Sequence, residues 1–145
     1  MNKKLKIIIG IIAILIYLSS FFQECYLVNG KTSIGSFGLI AFLLGWLNFD
    51  IVGIIWLANP LFIISIILFI TTNMKKTPLV LSVASTLIAL FFMNVDQIIQ
   101  NEGGGTGYID GYLNGYWLWL TSMSLMTISS FINFILNFNL TKRKL

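Results

Sequence analysis

The chain alternates between long apolar runs and short polar breaks, and the runs do not alternate residue by residue. A period of two would mark a membrane barrel. Runs of about 20 apolar residues instead mark helices that cross a hydrocarbon core. The first run, residues 5–22, is mostly Ile and Leu. The next, residues 34–70, is interrupted by Gly45, Asn48, Asp50, Gly53 and Asn59-Pro60. A third starts after Thr77-Pro78, a cap followed by Pro at the first helical position. It ends near residue 95, with a possible helical continuation over residues 96–99. A fourth spans residues 112–138.

Charge decides how these runs are threaded. Eight of the nine cationic residues form three clusters: Lys3, Lys4 and Lys6; Lys75 and Lys76; Lys142, Arg143 and Lys144. Only Lys31 stands apart. The five acids, Glu24, Asp50, Asp96, Glu102 and Asp110, all fall between the clusters on the opposite side. The cationic side is cytoplasmic by the positive-inside rule. Residues 34–70 must then cross an odd number of times. Three crossings need about 60 residues, so the stretch crosses once, over residues 53–72. A crossing placed earlier would bury Asp50, at a cost of about 2.5–3.5 kcal/mol near the centre.

The expected fold is an all-α membrane protein of a single domain over residues 1–145. It has four spans (5–22, 53–72, 78–95 and 112–138) and both termini cytoplasmic. Residues 36–48 form a short interfacial or re-entrant helix, and residues 96–111 an outer loop. The expected location is the bacterial inner (cytoplasmic) membrane. The first run also resembles a signal peptide, but Ser19-Ser20-Phe21-Phe22 offers no usual small-residue cleavage pattern.

Composition narrows the function classes. The chain is 57% hydrophobic and 10% charged, against about 25% charged for a soluble domain. The net charge of +4 sits in tails and one loop, which argues for lipid contact and against nucleic acid. There is no His and one Cys, so no intrachain disulfide and no Cys/His metal site follow. No cofactor is expected. Gly103-Gly104-Gly105-Thr106-Gly107 lacks the Lys and Ser/Thr ending of a phosphate loop.

The most distinctive local pattern is Gly-Tyr-x-x repeated three times: Gly107-Tyr108, Gly111-Tyr112 and Gly115-Tyr116, followed by Trp117 and Trp119. On a helix this spacing makes a glycine stripe beside a tyrosine stripe, suited to close packing or a partner. Equally, it reads as a loop leading into an interfacial aromatic anchor. Asn59-Pro60 is a candidate helix break, since Pro removes a backbone donor. It reads as a kink, as a helix start capped by Asn59, or as an ion-binding break. Ser122, Ser129, Asn133 and Asn137 share one face of the fourth run, which is ordinary interhelical glue or a pore lining.

These features point to a small multi-pass membrane protein that acts by protein–protein contact and is not an enzyme. It would be a subunit or modulator of a membrane complex, or a toxin-immunity-type protein. Its expected partners are the bilayer and another membrane protein or a second copy. The alternative is a small oligomeric channel or transporter; a membrane-embedded enzyme is third.

Overall fold

A computed structural model describes residues 1–48, 50–99 and 104–142, with the side chains of residues 137–142 left aside. Glu102, Arg143 and Lys144 lie outside the described residues, as does the side chain of Asn137.

The fold is mostly helical with one small sheet, so the all-α expectation holds only approximately. In chain order the elements are α1 (Lys3–Ser20), β1 (Tyr26–Val28), α2 (Gly38–Leu44), α3 (Ile51–Trp56) and α4 (Ala58–Thr71). Then come α5 (Lys76–Phe91), β2 (Gln97–Ile99), β3 (Thr106–Tyr112) and α6 (Asn114–Lys142). Short 3-10 turns cover Ile34–Ser36, Gly45–Leu47 and Phe92–Asn94.

Three stretches are long and apolar enough to cross a membrane: Ile51–Thr71, Lys76–Asn94 and Asn114–Leu136. The α1 helix is not among them. Three lysines occupy its start, and residues 7–20 extend about 21 Å at about 1.5 Å per residue, short of the roughly 30 Å core.

Four helices form the body. The α1 helix packs on α6 and α4, and α5 packs on α4 and α6. Buried Ala13 and Tyr17 of α1, Phe62, Ile66 and Phe69 of α4, and Met123 and Met126 of α6 share the core. Buried hydroxyls tie the helices together across their backbones. Ser65 donates to the Pro78 carbonyl (2.8 Å) and Ser85 to the Ala58 carbonyl (2.9 Å), while Thr86 pairs with Thr127 (2.9 Å).

The segregated charges lie at opposite ends of this body. Gly10 sits against Ile70, so the start of α1 meets the end of α4. Lys6 lies over the Phe69 ring and close enough to Lys75 to feel its charge. The described acids gather at the other end. Asp50 caps α3 through Val52 N–H, and Asp110 accepts from Gly30 N–H. Glu24 accepts from Ser36 at 2.5 Å.

That acidic end carries a cap the hydrophobic pattern did not announce. The three strands run β1-β3-β2, antiparallel, with Tyr26 opposite Tyr112 and Ile98 opposite Gly107. Residues 96–111 are therefore not a plain loop, and residues 97–99 do not continue the α5 helix. A turn at Phe92–Asn94 ends the helix first. The last helix starts at Asn114, not residue 112, because β3 claims the residues up to Tyr112.

Close backbone approaches at glycines hold the cap to the helices. A Cβ on Gly38 would lie 2.2 Å from the Ser20 carbonyl oxygen, and one on Gly53 1.9 Å from that of Asn48. Both neighbours are backbone, which cannot swing aside. Gly53→Ala is expected to lower stability by about 1–3 kcal/mol, the usual cost of overpacking. Unfolding by SDS titration of the purified protein measures this; an unchanged midpoint would show that the 48–53 turn relaxes freely.

Candidate functional site

The residues around Asn59 and the cap above it form the most structured site in the molecule. Pro60 has no N–H to offer the carbonyl of Trp56, four residues earlier. The side-chain amide of Asn59 donates to that carbonyl instead, at 2.9 Å. The regular hydrogen-bond pattern is interrupted at Leu57, between α3 and α4, while its backbone stays helical (φ −60°, ψ −17°). Asn59 is thus neither a helix cap nor an exposed break. It sits inside a continuous stretch whose cap is Asp50.

The Asn59 side-chain oxygen collects two further bonds. Tyr17 of α1 donates its hydroxyl at 2.9 Å, and Trp119 of α6 its indole N–H at 2.8 Å. One amide therefore joins α1, α4 and α6 at the base of the cap.

Above Asn59 lies a cavity of about 560 Å³, within the range of small-molecule sites. Its walls come from the end of α1, from α2 and the Gly45–Leu47 turn, from α3, from Phe92, from β2, and from Tyr116 and Trp119 of α6. No charged side chain lines it among the described residues. Its polar wall groups are mostly turned inward to the protein. Trp56 donates to the Phe42 carbonyl (2.7 Å) and Tyr26 to the Gly35 carbonyl (3.0 Å). Asn48 donates to the Gly45 carbonyl (3.2 Å).

Cys25 also borders the cavity. Burial first, and the neighbouring Glu24 second, push its thiol from an ordinary 9.0 to about 12. Burial likewise raises the Tyr26 phenol, with smaller contributions from Cys25 and Glu24. Tyr112 is raised by burial and by Asp96. A thiol this hard to ionise is a poor nucleophile at neutral pH.

The Gly-Tyr-x-x repeat is divided between two elements. Gly107, Tyr108, Gly111 and Tyr112 belong to β3, and Gly115, Tyr116, Trp117 and Trp119 to α6. No continuous helical stripe exists, because the strand pairing of β3 with β1 and β2 replaces the helix. A bulge at Asp110, where Leu27 pairs with Gly111 but Val28 with Ile109, breaks the alternation within β3, so Tyr108 and Tyr112 do not share one environment. The tyrosines mostly point inward. Tyr116 is 1% exposed and donates to the Ala89 carbonyl at 3.1 Å, and Tyr112 donates to the Phe92 carbonyl at 3.1 Å. Both stack around Phe92. Tyr108 and Trp117 are exposed.

Gly115 marks a close approach. A Cβ there would meet the Cys25 sulfur at 2.8 Å and the Glu24 carbonyl oxygen at 2.8 Å. The N–H groups of Leu113 and Gly115 donate to the carbonyls of Cys25 and Glu24, both at 2.9 Å. One orphan donor at the start of α6, the Gly115 N–H, is thereby satisfied by the chain leaving α1.

Two features were missed in the sequence. The dipeptide Asn29-Gly30 is the usual sign of a tight hairpin turn. Both residues have positive φ (51° and 72°), and Val28 and Lys31 pair across them. The cavity had no local signal, since its walls come from segments far apart in the chain.

The rest of the polar face of α6 is taken up by packing. Ser122 and Ser129 are buried and donate to carbonyls of their own helix, and Asn133 is buried. No grouping of three His, Cys, Asp or Glu occurs among the described residues. No protein-family model matches the chain, and neither a similar curated protein nor a similar solved structure was found.

Asn59→Leu removes a three-bond hub and leaves the Tyr17 and Trp119 donors unpaired. Its expected cost is about 2–4 kcal/mol, at about 1 kcal/mol per bond plus the desolvation of stranded groups. Tyr17→Phe and Trp119→Phe should each cost about 1 kcal/mol and couple to Asn59 in a double-mutant cycle. Additive losses would deny the hub.

The folded protein favours the neutral Cys25 thiol. That stabilisation is complete below pH 9 and is lost as pH rises toward about 12. At pH 7.5 alkylation by N-ethylmaleimide should be about a thousand-fold slower than for an ordinary cysteine, rising about tenfold per pH unit between pH 8 and 10. Fast alkylation that levels off by pH 9 would contradict the burial.

Proposed function

We propose that this protein is a four-span membrane protein with both termini cytoplasmic, which acts by contact through its acidic, sheet-bearing end. In this reading α1 is the fourth span. Its packing along α4 and α6 supports this, and Lys3, Lys4 and Lys6 can extend to the interface to make up its short apolar length. Residues 36–48 then lie at the outer boundary of a bacterial inner membrane. The exposed Leu39, Leu43, Trp46 and Leu47 there suit contact with lipid.

The observation that carries the contact reading is the cap. It presents Ile34 (83% exposed), Phe22 (73%) and Tyr108 (60%) outside the helices read as spans. Contiguous exposed apolar patches mark contact sites, and the cap is where this reading places one. The internal bonding of Ser122 and Ser129 favours contact over conduction, since a pore needs its polar groups free for water and solute. A subunit or modulator of a membrane complex, or an immunity-type protein, fits such a cap; the partner is another membrane protein or a second copy.

Photo-crosslinkers at Phe22, Ile34 and Tyr108 should capture one defined partner in cells, and Tyr108→Ala should weaken capture at the other two positions. Crosslinks to lipid alone at all three would sink the reading. Tyr112 and Tyr116 are unsuitable positions because their side chains face inward. Cysteines at Lys31 and Met74, in a Cys25→Ala background, test the orientation: the first should label from outside intact cells and the second should not.

A further inference from the structure

The cavity above Asn59 is a binding site with a definite chemistry. It is bounded on one side by Ala41 and Phe42 of α2 and on another by Val52, Ile55 and Trp56 of α3. Tyr116 and Trp119 of α6 also line it. None of its described lining residues is charged. The donors of Trp56, Trp119, Tyr26 and Tyr116 all serve protein acceptors. The mainly apolar lining offers a polar ligand limited bonding, through groups such as Asn48, and a charged one no charged partner among the described residues. A hydrocarbon needs neither.

The route of entry points the same way. Leu44, Leu47 and Ile99 line the cavity and are themselves exposed. On either side of Leu44 and Leu47 in the chain come the exposed Leu39, Leu43 and Trp46 of α2 and its following turn, and Ile51 and Ile54 of α3. The apolar exterior of the molecule therefore reaches the cavity along α2 and the Gly45–Leu47 turn, with Asn48 and Asp50 the polar residues between that turn and α3. An occupant that arrives along that surface comes from the apolar phase, not from water.

We propose that this cavity takes one acyl chain of a bilayer phospholipid, whose headgroup stays outside at the rim. This rests on the membrane reading above but not on the contact function. A lipid chain bound here would brace α2 against the bundle. The lining has no cation to hold a carboxylate, which favours a phospholipid chain over a free fatty acid.

The four tryptophans make the test direct. Trp56 and Trp119 line the cavity, while Trp46 and Trp117 are exposed and do not. The full chain with Trp46→Phe and Trp117→Phe, in detergent, is titrated with phosphatidylcholine brominated on its acyl chains. Trp56 and Trp119 fluorescence should fall saturably, by at least half. Filling the cavity from either wall, by Ala41→Phe or Val52→Phe, should cut that quenching at least threefold. Leu39→Phe on the outside of α2 should leave it unchanged.

Quenching that never saturates, or that both fillers leave intact, would overturn the proposal. So would saturable quenching by brominated stearate with none by the phospholipid, which would make the ligand a fatty acid. An apolar helical peptide that shifts Trp56 and Trp119 emission while brominated lipid does not quench would assign the cavity to a protein instead. The measurement needs neither a partner nor an oriented membrane, so its failure is separate from failure of the crosslinking.

Discussion

One missing hydrogen-bond donor organises much of this protein. Pro60 cannot bond the Trp56 carbonyl, and in an apolar environment an unpaired carbonyl is costly. Asn59, the residue beside it, supplies the bond. Having one end of its amide fixed, Asn59 aims its oxygen where Tyr17 and Trp119 reach it. The break in α3–α4 thus becomes the joint at which α1, α4 and α6 are tied, and the floor of the cavity above.

The cap depends on this joint and on backbone contact. Its strands are short, and a few residues of sheet have little stability alone. They are held because the chain leaving α1 bonds both to α2, through Gly38 and Leu39, and to the start of α6, through Leu113 and Gly115. Gly38 and Gly115 permit those approaches because nothing larger than hydrogen fits. Phe92 is the apolar counterpart, ringed by Tyr26, Tyr112 and Tyr116. The tyrosine repeat is therefore mainly a device for seating the cap on the helices. Tyr108 and Trp117 remain exposed.

The helical body was legible because apolar length is a local property. The apolar stretch Ile51–Thr71 and the long last helix follow from runs of residues in sequence, while α5 starts at Lys76, two residues before the Pro78 start that the capping pattern predicts. The helix near residues 36–48 was visible for the same reason. The sheet was not, because β1 and β2 are three residues each and β1 pairs with a strand distant in the chain. A four-residue repeat fits a helix and a strand equally well over residues 107–112. Only pairing with Tyr26 and Gln97 chooses between them.

By itself the sequence determined where the apolar helices run and, through charge, which ends of them lie together. Charge and hydropathy act residue by residue and need no partner. Tertiary structure alone decided that Asn59 is a three-helix hub, that Tyr116 faces inward, and that α2, α3 and β2 enclose an uncharged cavity. Each of these depends on groups brought together from distant positions. Hydrogen-bond satisfaction and enclosed volume are properties of such meetings, and no single segment carries them.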